Sequence, residues 1–176
     1  MKKFIIFVLF AIALNTAAFA NFIVTPGGEI AQGPETSQSQ IDAILLSFGI
    51  SSEVYKDEVG GSEYGSFADD YTTEYFNSSL DPKDALITWD GPDFINDPGF
   101  LLVKDGNHSP GWYLFDIGGW NGQETLQLDN FWPRSGAISH VTLYEDKEAV
   151  PEPATMILFG TGLAGFAGAA LRKKKK

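Results

Sequence analysis

The chain has 176 residues, no cysteine and a formal net charge of −11. Without thiols there are no disulfides, no thiol nucleophiles and no Cys-based metal sites. Between residues 21 and 149 only five cationic residues face 22 acidic ones, a net of −17, and so acidic a domain repels nucleic acid and anionic lipid surfaces. Cations, neutral sugars and basic partners remain open to it.

The chain starts with Lys2 and Lys3, then an eleven-residue apolar run over residues 4–14, then Ala18-Phe19-Ala20. A short positive segment, an apolar segment too short to span a bilayer comfortably and a small-x-small site predict a secretory signal peptide. Residues 1–20 are assigned to it, with Ala18 and Ala20 as the cleavage-site residues. Export without disulfides fits a bacterial route.

Residues 21–149 have the length of one ordinary domain. Residues 21–35 are rich in Gly and Pro and read as a strand-like entry and a loop. In "SQSQIDAILLSFG", Ile41, Ile44, Leu45 and Phe48 fall at i, i+3, i+4 and i+7. That spacing predicts a short amphipathic helix over residues 39–48, lying on a sheet, capped by Ser37 or Ser39 and ended by Gly49.

From residue 53 onward, short β-branched and aromatic segments alternate with turn residues. Gly60-Gly61 predicts a hairpin, and Asp105-Gly106 a tight turn. "DALITWDG" alternates Ala85, Ile87 and Trp89 against Leu86 and Thr88. "GWYLFDI" sets Tyr113, Phe115 and Ile117 opposite Trp112 and Leu114, "ETLQLDNF" turns Leu126 and Leu128 inward, and "AISHVTLY" sets Val141 and Leu143 against Ile138, His140 and Tyr144. About eight such strands predict a mainly β fold, a β-sandwich or jelly-roll-like domain with one short N-terminal helix.

Pro151-Glu152-Pro153 then lead into eighteen uncharged residues, 154–171, followed by Arg172, Lys173, Lys174, Lys175 and Lys176. Eighteen helical residues reach about 27 Å, close to the thickness of a hydrocarbon core, so the segment is expected to be a transmembrane helix. The basic end, residues 172–176, sets its C-terminus on the cytoplasmic side and leaves the domain outside. Gly160, Ala164 and Gly168 make a smooth stripe that a second helix can approach. The prolines enforce an extended, accessible segment before the helix.

In this order, Pro151-Glu152-Pro153, the Gly/Ala-rich apolar helix and the basic cluster resemble the PEP-CTERM sorting signal of Gram-negative bacteria, here residues 150–176. The resemblance implies an exported protein handled by exosortase, an integral-membrane cysteine transpeptidase, in a system that accompanies exopolysaccharide production. It implies a transient membrane anchor, then the cell surface or extracellular matrix. Residues 101–144 also resemble the recurring core of PEP-CTERM ectodomains, which carries over no catalytic residue.

For catalysis the sequence offers no Gly-x-Ser-x-Gly, His-Glu-x-x-His or phosphate-binding glycine loop. Its two histidines, His108 in a turn and His140 in a strand, have no metal-ligand spacing. Asp69, Asp70, Glu74, Asp90, Asp93, Asp97 and Asp105 suit calcium chemically, but no EF-hand loop is present and Asp is a common turn residue. The expectation is therefore a non-enzymatic domain without cofactor or metal, with a structural role. The alternative is a carbohydrate-binding module for exopolysaccharide, with Trp112, Trp120 and Trp132 stacking on pyranose rings. Against it stands the use of the same rings to fill a core.

Overall fold

The computed structural model describes residues 21–78 and 80–145. In chain order they form β1 (Phe22–Val24), β2 (Ala31–Gly33), α1 (Gln38–Ser47), β3 (Glu53–Glu58), β4 (Glu63–Tyr64), β5 (Tyr71–Phe76), β6 (Asp84–Trp89), β7 (Pro98–Lys104), β8 (Trp112–Asp116), β9 (Leu126–Leu128) and β10 (His140–Glu145). The fold is mainly β, as the turn spacing predicts. A four-stranded sheet has the order β1-β9-β6-β5, and a six-stranded sheet the order β2-β8-β7-β10-β3-β4. Every ladder is antiparallel except β1 with β9.

Strand alternation divides the apolar residues between two cores. Val24, Tyr71, Ala85, Ile87, Leu126 and Leu128 of the four-stranded sheet share one buried cluster with Tyr55, Leu101, Val103, Tyr113, Phe115, Val141 and Leu143 of the six-stranded sheet. The intervening residues of the six-stranded sheet, Leu102, Trp112, Leu114 and Tyr144, point the other way and pack with Ile41, Leu45 and Ile50. So β7, β8 and β10 are apolar on both faces, because one face meets a sheet and the other a helix. Burying each large aliphatic side chain contributes about 1.5–3 kcal/mol.

The helix forms where its spacing places it, shifted by one residue. Ser37 occupies the N-cap position but makes no capping bond from its side chain; its hydroxyl meets that of Ser39 at 2.9 Å instead. At the other end Gly49 takes φ +81°, and the Ile50 N–H reaches the Leu45 carbonyl at 3.0 Å. This left-handed cap closes the helix and returns Ile50 onto Leu45. Phe48 departs from expectation. It has already left helical geometry at ψ 0°, so its ring turns off the packed face and is 51% exposed.

The Gly60-Gly61 hairpin joins β3 to a β4 of only two residues, with Lys56 opposite Tyr64. Asp105-Gly106 does not make a tight turn. Residues 105–111 form a longer loop between β7 and β8, organised by the buried Asp105 carboxylate, which accepts from the backbone N–H of Asn107, His108 and Ala137. Tyr71 ties β5 to two other loops. Its hydroxyl donates to the Gly122 carbonyl at 2.6 Å and accepts from the Ile95 N–H at 3.0 Å. Gly122 sits at φ +78°, and a Cβ there would collide with the Ile95 carbonyl, so this loop needs glycine for both torsion and space.

Candidate functional site

The candidate site is the junction where the domain hands over to its C-terminal segment. β10 is hydrogen-bonded on both sides, to β7 and to β3. Its last residue, Glu145, is fixed by its N–H on the Ser52 carbonyl at 3.1 Å. One position earlier, Tyr144 stands opposite Glu53 after a register shift. Between this end of β10 and the side of α1 lies a groove of about 340 Å³ lined by Asp42, Leu45, Leu46, Ile50, Glu53 and Tyr144. Leu45, Ile50 and Tyr144 are buried and form its floor, whereas Leu46 is 64% exposed. Burial raises the Glu53 carboxyl above the ordinary carboxylate range, against the pull of Lys56, with Asp42 and Glu58 adding to the rise. Sequence periodicity overlooks this groove, since Leu46 lies off the main apolar face of α1. The available signal is the Asp42/Leu46 pair, four residues apart and hence neighbours on the helix surface.

The indoles proposed as a sugar platform are core residues. Trp112, Trp120 and Trp132 are 2%, 2% and 4% exposed. Each indole N–H is already committed: Trp112 to a Glu35 carboxylate oxygen at 2.9 Å, Trp120 to the Glu124 carbonyl at 2.7 Å and Trp132 to the Pro110 carbonyl at 2.7 Å. Tyr113 stands 5.0 Å from the Trp132 ring and 5.6 Å from Phe131, and Tyr71 lies 5.9 Å from Trp120. A small two-sheet domain fills its interior with large rings, and the buried polar edge of each ring finds an acceptor. No face of these three rings is free to stack on a pyranose.

The titratable groups are likewise used internally. His108 Nδ1 meets Asp105 at 3.2 Å inside the 105–111 loop. Burial would raise Asp105, but the N–H groups of Asn107, Ala137 and His108 and the His108 ring outweigh it and hold the carboxyl low. His140 is buried on β10, and its Nε2 has no hydrogen-bond partner. Burial first, then Lys56 and Lys104, push it down to about 4 against the opposing pull of Glu58. Asp70 accepts from the Asp93 N–H at 3.0 Å, and Asp90 from the Thr72 hydroxyl at 2.8 Å. Among the described residues no group of three His, Asp or Glu side chains is placed to hold a metal ion.

The expected signal peptide with Ala18 and Ala20, the Pro151-Glu152-Pro153 triplet, the helix over residues 154–171 and the basic residues 172–176 lie outside the described residues. Among those described, no helix is long and apolar enough to cross a membrane. No curated protein and no solved structure shows significant similarity to the chain. A family model does match: the PEP-CTERM protein-sorting motif, over residues 149–174. That motif is recognised by exosortase and implies export through a membrane-anchored precursor. With the motif beginning four residues beyond the end of β10, the chain carries a PEP-CTERM protein-sorting motif behind its β domain, which implies an exported protein sorted by exosortase.

Proposed function

We propose that an exosortase-type enzyme cuts this chain at or near Pro151-Glu152-Pro153. The released domain, a β-sandwich, then resides at the cell surface or in the extracellular matrix beside exopolysaccharide, in a structural and non-catalytic role. The observation that carries the reading is the place of the sorting motif, residues 149–174, directly after the strand that completes the domain. Two further features support it. The acidic, cysteine-free composition suits an extracellular medium, and Asp105, Asp70 and Asp90 accept hydrogen bonds that organise loops and strand ends. A carbohydrate-binding role through Trp112, Trp120 and Trp132 is disfavoured by their burial.

Mass spectrometry of the exported protein tests the proposal. A C-terminus within or next to residues 151–153 is expected. An exported protein that still ends in Lys176 overturns the processing step and leaves a plain membrane anchor.

A further inference from the structure

We propose that the groove between α1 and the end of β10 is a docking site for the extracytoplasmic surface of the processing enzyme, receiving an apolar side chain flanked by a cationic group. This rests on the reading that an exosortase-type enzyme processes the tail. It adds that recognition extends beyond the sorting motif to the folded domain.

The first argument is reach. Glu145 is held to Ser52, and six residues carry the chain from there to Pro151. Fully extended, they span about 20 Å. A domain of this length is roughly 35 Å across, from a radius of gyration of about 14 Å. An enzyme that grips residues 151–153 is therefore held within about 20 Å of Glu145, next to the end of the domain that surrounds it. The groove is on that end, since Tyr144 and Glu53 line it.

The second argument is chemistry. The groove has an apolar floor of Leu45, Ile50 and Tyr144 and an exposed apolar lip, Leu46. Asp42 and Glu53 add two carboxylates, and neither has a salt-bridge partner among the described residues. Asp42 also accepts from the Gln38 side-chain amide at 2.7 Å, but an incoming cation is still favoured beside two carboxylates without a salt bridge on a partly desolvated surface. The same carboxylates disfavour an anionic lipid headgroup. A second copy would set one net charge of −17 against another, which also disfavours self-association. The enzyme, which the short tether brings to this face, is the occupant that fits the reach, and the two carboxylates call for a cationic group on its docking surface.

The test uses the full chain in membranes that contain the processing enzyme, with the rate of tail removal as readout. Leu46→Ser, and separately Asp42→Asn with Glu53→Gln, alter solvent-facing groups of the groove and leave residues 146–176 untouched. Each is expected to slow tail removal roughly fivefold, the effect of losing one modest interface contact, with an unchanged unfolding midpoint. A photo-crosslinking amino acid at position 46 is expected to capture the enzyme. Unchanged processing rates in both variants overturn the docking site while leaving tail processing in place. Crosslinks only to lipid or to a second copy of the chain overturn it as well. A wild-type chain that keeps its tail overturns the processing reading and the docking site together.

Discussion

Trp112 and Tyr113 are consecutive residues on β8 that belong to different cores. Trp112 packs beneath α1 with Leu45 and Leu102, whereas Tyr113 faces the four-stranded sheet beside Phe131 and Trp132. The six-stranded sheet is thus the middle layer of the domain, and damage on either side of it removes support from the other.

Trp112 is accordingly a stability residue. Trp112→Ala is expected to cost about 3–5 kcal/mol, through the cavity it leaves and the Glu35 carboxylate it deprives of a donor. Trp112→Phe should cost less, about 1–3 kcal/mol, because most of the ring volume remains. Urea denaturation at neutral pH measures both. In the native wild type, acrylamide should barely quench Trp112, Trp120 and Trp132, and quenching should rise on unfolding. Strong native quenching from these three rings would contradict their burial.

His140 makes the domain acid-sensitive in a defined window. Its native value is pushed down to about 4 by burial and by Lys56 and Lys104, while an unfolded histidine titrates near pH 6.5. Between these values the unfolded chain holds the extra proton, so stability falls as pH drops from about 6.5 to about 4 and the loss levels off below that. The expected total is on the order of 3 kcal/mol. His140→Gln should flatten this part of the stability-versus-pH curve. A variant as acid-sensitive as wild type between pH 6.5 and 4 would place the effect on other groups.

Asp105 is expected to hold the β7–β8 connection. Asp105→Ala strips the N–H groups of Asn107, His108 and Ala137 of their shared acceptor and should cost about 2–4 kcal/mol. Because its native value is lowered, its stabilising contribution is present above the ordinary carboxylate value. It is lost as pH falls below about 4. Asp105→Asn keeps a single acceptor oxygen and should fall between wild type and Asp105→Ala by thermal unfolding. Asp105→Ala at wild-type stability would show that water replaces the carboxylate.

Period-two patterning made β6, β8 and β10 legible, because each of these strands meets a core on at least one side, but it misplaced Ile138, which precedes β10 and shares the core of Val141 and Leu143 instead of facing away from them. Helical periodicity did the same for Ile41 and Leu45. It failed at Phe48, because it cannot tell where a helix stops one residue short. The parallel pairing of β1 with β9 was invisible, since nothing local joins Phe22 to Leu126, 104 positions away. The sorting motif was legible because its three parts are contiguous in the chain. The groove beside it was not, because Leu46 and Tyr144 meet only through tertiary packing. The indoles were misleading in one direction: tryptophans near Asn, Asp and Gln look like a ligand platform, yet here the Glu35 carboxylate and the Glu124 and Pro110 carbonyls accept from the indole edges.

The position of β10 orders the events of biogenesis. Without this strand the six-stranded sheet is two fragments, β2-β8-β7 and β3-β4. The chain emerging on the far side of the membrane therefore lacks its middle layer until residues 140–145 have crossed. Only three residues separate them from the sorting motif. Consolidation of the domain and arrival of the tail at the bilayer thus fall at the same moment of translocation, and an export intermediate halted even a few residues earlier presents a divided sheet, with the long inner edges of β7 and β3 unpaired.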